Sequence, residues 1–176
     1  MRSVLLLLPL LVSFAAAGLA ARERKPLSIN VFPHSHCDAG YKKTFEGYYE
    51  TEVLSILRSV PSALQKNPTR RFLWSEVSYL QRWFRGASSD VDRKAQNLFK
   101  SLVNSGQIEL VDGGWTQHDD AITTIKQQLQ NQRIGRKALT QLGFVESKLP
   151  RIGWHPDSFG ATVSSFPMYD LVIARS

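Results

Sequence analysis

Five short apolar runs alternate with longer stretches of helical periodicity, and that alternation limits the possible folds more than any other feature of the sequence. The runs are Leu27–Phe32, Arg71–Trp74, Ile108–Val111, Arg151–Trp154 and Leu171–Ala174, each of strand length and rich in Ile, Val, Leu or Trp. Between the first two, Phe45, Tyr48, Tyr49, Val53, Leu54, Ile56, Leu57 and Val60 recur close to every 3.6 residues. This predicts a helix over Thr44–Leu64, ended at Pro61 or just after. Further helices are predicted over Ser75–Gly86, over Val91–Asn104 with Asp90 as its cap, and over the Gln-rich stretch Ala121–Leu142, closed by Gly143. No repeat or low-complexity segment interrupts the order. The expected class is α/β: alternating strands and helices, with a parallel sheet forming an incomplete (β/α) barrel.

Residues 1–20 stand outside this pattern. Arg2 precedes an almost wholly apolar Val4–Ala17, followed by small residues, which is the composition of a secretory signal peptide. The apolar core falls short of the ~18–20 residues of a membrane span, and no later segment approaches that length, so no stable span is expected in the mature chain, 21–176. The secretory pathway is the expected route. A single cysteine excludes an internal disulfide, so packing must stabilise the fold, and 43% hydrophobic residues suffice for a core. Asn67-Pro68-Thr69 is disqualified as a glycosylation acceptor by its proline. The net charge of +7 comes from scattered Lys and Arg without interleaved aromatics, which argues against a nucleic-acid surface. Oligomeric state is left open.

The first four runs each lead into polar or glycine-rich residues, which a parallel sheet would gather on one rim. After the first comes His34-Ser35-His36-Cys37-Asp38. On an extended backbone His34, His36 and Asp38 share one face and Cys37 the other, so the string is either a metal site or a polar strand end, with Cys37 packed. After the third, Gly113-Gly114 permits close backbone approach to a ligand and Trp115 offers a flat face to a sugar ring. Asp119 and Asp120 then either serve the site or cap the next helix. After the fourth, His155 is read as a partner beneath the rim. Asp157 is read as a turn former whose carboxylate reaches the first cluster from behind. A metal, an aromatic platform and a carboxylate together suggest a polyhydroxylated substrate.

Three of these segments carry a resemblance. "PHSHCDAGY", "GGWTQHDDA" and "WHPDSFG" resemble, in order, the "PHSHNDPGW", "GGWxxxDEA" and "WxxDPFG" motifs of glycoside hydrolase family 38, the zinc-dependent retaining α-mannosidases. The resemblance covers nearly all of the mature chain and the front of the family's catalytic domain. It implies that His36, Asp38 and Asp119 bind Zn2+, with His34 outside the ligand set, and that Asp119 is also the catalytic nucleophile. Tyr41 stands where the family places a sugar-stacking Trp. The implied substrates are mannose-containing glycans, and the implied destination is a lysosome-like or vacuolar lumen, the extracellular space or the Golgi. The general acid/base and a further histidine ligand are expected after residue 176, so the chain is expected to be an incomplete form. Cys37 replaces Asn, Asp120 replaces Glu and Ser158 replaces Pro. Two other readings remain: a zinc amidohydrolase built on His34 and His36, and a non-catalytic carbohydrate binder.

Overall fold

A computed structural model describes residues 26–160, 162, 163, 167 and 170. Contacts divide the chain into residues 1–30 and 31–176. In the first unit, the described residues 26–30 lie outside helices and strands and are exposed. Residues 1–20, expected to be a signal peptide, and the run Leu171–Ala174 lie outside the described residues.

The second unit is a mixed helix and strand structure on a small parallel sheet. A helical stretch opens with α1 (Phe45–Tyr48), passes through a π-helical turn (Tyr49–Val53) and continues as α2 (Leu54–Gln65). It is followed by β1 (Phe72–Trp74), α3 (Val77–Arg85), α4 (Asp90–Ser105), β2 (Ile108–Leu110) and α5 (Ile125–Gln141). A 3-10 turn, Glu146–Lys148, follows. β1 and β2 pair in parallel with Phe72 opposite Ile108 and Trp74 opposite Leu110.

The sheet is smaller than the sequence predicts. The run ending at Phe32 forms no strand: Val31 and Phe32 are exposed, and pairing begins only where Leu73 N–H donates to the Pro33 carbonyl (2.9 Å) and His34 bridges Leu73. Pro33 has no N–H to extend the ladder, and among the described residues no layer covers the run. On the other side, Asp112 N–H donates to the Ile152 carbonyl (2.7 Å), a single bond that does not make Arg151–Trp154 a strand. The described residues thus hold a two-stranded sheet with a brief continuation at each side, and no barrel.

Helix ends follow capping chemistry rather than the residues expected. α2 runs past Pro61 to Gln65 because Leu64 is buried in the core and the Gln107 side-chain amide donates to the Leu64 carbonyl (3.1 Å). α4 is capped by Ser89, not Asp90: Ser89 Oγ accepts from Asp92 N–H (3.1 Å) and donates to Asp92 Oδ2 (2.8 Å). α5 begins at Ile125 behind a capping box formed by Thr124 and Gln127, so neither Asp119 nor Asp120 opens that helix. The core joins Trp74, Trp83 and Phe99 edge to face, with Leu57, Leu80, Ile108 and Leu139 around them. Beside it Phe45 stacks on Tyr79 (4.4 Å, 4°), with the Tyr49 ring on the π turn nearly parallel to Tyr79. Among the described residues no helix is long and apolar enough to cross a membrane.

One ion pair ties α2 to α4. Arg58 Nε and Nη2 donate to the two carboxylate oxygens of Asp92 (2.7 and 3.0 Å). Those hydrogen bonds hold the buried Asp92 carboxyl below its ordinary range. A lowered folded-state value means the stabilisation is present above the unfolded value, near pH 4, and is lost as pH falls through the folded value. Arg58→Met should therefore cost about 1–2 kcal/mol at pH 7, discounted for the half-exposed guanidinium. The gap to the parent chain should be narrower at pH 3 than at pH 7. Urea unfolding at both pH values checks this; an equal gap at both would exclude the assignment.

Candidate functional site

The chain from Pro33 to Gly40 runs from the edge of β1 across the end of the sheet. Cys37 faces the core, and burial, aided by the nearby Glu76 carboxylate, pushes its thiol up to about 12. It stays a packed, protonated thiol. Its neighbours point the other way. His36 Nε2 lies 3.1 Å from Asp38 Oδ1 and 3.1 Å from Asp157 Oδ2, so two carboxylates meet on one ring nitrogen. A single N–H cannot serve both well, and the three groups together could hold a cation. Donors around a tetrahedral zinc ion at its usual bond lengths lie about 3.3 Å apart, and one ligand atom from each of these residues falls within 4.8 Å of the others. The donor set fits a divalent transition metal.

Behind the imidazole, Glu76 Oε1 is 3.7 Å from His36 Nδ1 and accepts the Cys37 N–H (3.3 Å). Glu76 is fully buried at the start of α3, and burial raises its carboxyl above the usual range. Its place behind the ring is the one expected for Asp157. The Asp157 carboxylate instead faces Nε2 beside Asp38, while its Oδ1 accepts the Ser158 N–H (2.8 Å) as a turn former does. Tyr79 donates its hydroxyl to the Asp38 carbonyl (2.5 Å), anchoring the loop to α3.

A cleft of about 290 Å³ opens beside these groups, lined by His36, Asp38, Gly40, Gln117, Asp157 and Phe159 among others. Tyr41 follows Gly40 at its margin and is exposed, with the Lys42 ammonium 5.5 Å from its ring. Trp115 lies elsewhere. It packs against the core and lines a separate hollow with Phe45 and Arg82. Asp119 sits two residues beyond Gln117, outside the His36 trio, with Oδ1 accepting the Ala121 N–H (2.7 Å). His34 sets its ring edge to face against Trp154 at 5.1 Å. The two glycines serve packing: Gly113 presses on Pro150, and both lie against Gly135 of α5. The sequence puts Ser75-Glu76 on the rim after the second run but does not foretell Glu76 behind the ring, nor Phe159 in the cleft wall. Glu76 lies two residues beyond the run Arg71–Trp74, a position that marks the rim, and Phe159 lies five residues beyond the run Arg151–Trp154.

The family model for the glycosyl hydrolases family 38 N-terminal domain matches residues 26–169. Alpha-mannosidase C of Dictyostelium discoideum is 34% identical over 154 residues, 87% of this chain and 14% of that protein. Alpha-mannosidase 2 of Rattus norvegicus is 36% identical over 138 residues, 78% of this chain and 11% of that protein. Lysosomal alpha-mannosidase of Mus musculus is 35% identical over 142 residues, 76% of this chain and 14% of that protein. The chain thus spans about one ninth to one seventh of the length of these curated relatives. By the extent of that match and the agreement of its relatives, the chain belongs to glycosyl hydrolase family 38, within the family's N-terminal domain.

Proposed function

We propose that this chain carries the zinc-binding and nucleophile-bearing part of a retaining α-mannosidase centre that acts on mannose-containing glycans. The observation that carries the reading is the pair of carboxylates converging on His36 Nε2 at the mouth of a sugar-sized cleft. His36 and Asp38 would hold Zn2+, with Asp119 joining them when the site is loaded and Asp157 adding negative charge beside it. When bound, the ion supplies a Lewis acid able to take the vicinal hydroxyls of a sugar ring. The Asp119 carboxylate is the nucleophile in this reading, attacking the anomeric carbon as its bond to the glycosidic oxygen breaks, that oxygen leaving protonated by a general acid the rest of the family's domain would supply, to give a covalent glycosyl-enzyme. Its Asx turn on Ala121 leaves Oδ2 for that task. Tyr41 at the cleft margin would stack on the sugar, joined there by Phe159. Trp115 would serve as a substrate platform only if the hollow beside Arg82 belongs to a longer glycan path. The order of the parallel segments suits the front of a (β/α) barrel, whose sites lie at the strand C-termini. A lysosomal relative and the apolar leader support a secretory-pathway destination.

Zinc affinity measured by competition with a chelating dye tests the reading. His36→Ala and Asp38→Asn should each weaken binding by more than about 100-fold, beyond the range typical of residues that only support a ligand. His34→Ala should change it by less than about threefold, since its ring packs on Trp154. The zinc-loaded chain should also bind methyl α-mannoside, and EDTA should abolish that. Loss of zinc in His34→Ala with retention in Asp38→Asn would favour the amidohydrolase instead.

A further inference from the structure

A second group of metal-binding side chains lies behind the loop that bears Asp119. His118 Nε2 is 3.0 Å from Asp120 Oδ1, and His155 Nδ1 is 3.9 Å from the same oxygen. The two imidazoles meet edge to face at 5.3 Å. One ligand atom from each of the three residues falls within 4.8 Å of the others. The side chains of His118 and Asp120 are nearly inaccessible, and that of His155 is 16% exposed. This group shares no residue with the His36, Asp38 and Asp157 trio.

The separations of 3.0 and 3.9 Å bracket the ~3.3 Å between neighbouring donors of a tetrahedral zinc site. A distance of 3.9 Å is too long for a hydrogen bond, so proton sharing does not explain why both rings address one oxygen. His155 Nε2 is shut from solvent and takes no hydrogen bond among the described residues, whereas a buried imidazole nitrogen ordinarily has a partner. The other oxygen of Asp120 is committed, with Oδ2 accepting the Thr162 N–H (3.1 Å). That bond fixes the carboxylate so that Oδ1 faces both rings. Two imidazoles and one carboxylate are ligands for zinc or a similar borderline ion, and are poor ligands for calcium or magnesium.

We propose that His118, Asp120 and His155 form a second transition-metal site, distinct from the one at His36. Its ligands come from the loop after β2 and from the segment after Pro150, so the ion cross-links these two stretches. Asp119 lies between two of the ligands in sequence, and Asp157 lies two residues after the third. The buried ion therefore ties the loop that bears Asp119 to the segment that brings Asp157 to the cleft, and it does so without touching substrate.

The whole chain, stripped with chelator, reloaded with Zn2+ and dialysed, should retain two equivalents of metal by plasma mass spectrometry. The double variant His118→Gln/His155→Gln should retain one, Asp38→Asn should retain one, and the three changes together none. An unchanged count in His118→Gln/His155→Gln overturns the proposal, as does a parent chain with one equivalent that Asp38→Asn removes. A single equivalent lost only with His118→Gln/His155→Gln supports it while removing the zinc reading at His36. Should the double variant not fold, histidine ring resonances of the parent chain decide the matter on zinc titration. Shifts at His118 and His155 support the site, and their absence while His36 shifts refutes it. Ca2+ and Mg2+ should move neither ring.

Discussion

Gly135→Ala should destabilise the folded chain by about 2–4 kcal/mol, although the same change in an exposed helix usually stabilises by up to about 1 kcal/mol. A methyl group at this position would lie 2.0 Å from the Gly113 carbonyl oxygen and 2.6 Å from the Gly114 carbonyl carbon. Both are backbone atoms, so no rotamer change relieves the clash, and α5 must move away from the loop after β2. That loop is held there by other bonds: Trp115 N–H donates to the Asn131 carbonyl (3.0 Å), and the Asn131 side chain brackets Thr116 through its N–H (3.0 Å) and carbonyl (2.8 Å). The loss should therefore appear both in urea unfolding and as faster amide exchange at Trp115 and Thr116. Arg133→Ala, on the exposed side of α5, should change stability by less than about 0.5 kcal/mol. A Gly135→Ala chain as stable as its parent would mean that α5 does not seat on the glycine pair.

Replacing Glu76 with Ala should weaken zinc binding at His36 by about 10–100-fold, the usual cost of losing a group that orients a metal-bound imidazole. Glu76 touches neither the cleft nor Nε2. It faces Nδ1 at 3.7 Å and holds the Cys37 N–H, so it acts on the ring from behind and on the backbone beside it. Glu76→Gln keeps an acceptor for that N–H and removes the charge. If the charge matters, Glu76→Gln should bind zinc nearly as weakly as Glu76→Ala; if the anchored backbone matters, it should bind nearly as well as the parent. Isothermal titration of the three chains measures this. Equal affinity in all three would remove Glu76 from the site.

The sequence displayed local order better than pairing. The period of Phe45, Tyr48, Val53 and Leu57 and the Ser105-Gly106 stop correspond to helices in the structure, with Gly106 in the left-handed region at φ 79°. The alternation of His36 and Asp38 against Cys37 also holds, because a reversal of side chains needs only extended backbone. Strand formation at Leu27–Phe32 and Arg151–Trp154 does not follow from local pattern, since an apolar run becomes a strand only when a neighbour takes its hydrogen bonds and a layer covers it. The start of α5 was misread because Thr124 and Gln127 make a stronger cap than Asp119 or Asp120. Gly113 and Gly114 were read as room for a ligand, and the occupant of that room is Gly135, more than twenty residues away in sequence. Within the candidate site, the sequence brings the Asp157 carboxylate to the first cluster, and the structure sets it on His36 Nε2 rather than behind the ring, a detail that a pairing across 121 residues leaves out of local spacing. Phe159 and the His118, Asp120 and His155 group likewise depend on how two loops fold together.

The π turn at Tyr49–Val53 places one residue more in the helix than an α-helical path would hold. Deleting any one residue there would swing everything upstream by roughly 100° about the axis. The Phe45 ring would leave Tyr79, the tyrosine whose hydroxyl tethers Asp38. The surface of this turn is thus free to change its chemistry while its length is not, and an insertion or deletion thirteen to seventeen residues from His36 would reach the cleft as a twist.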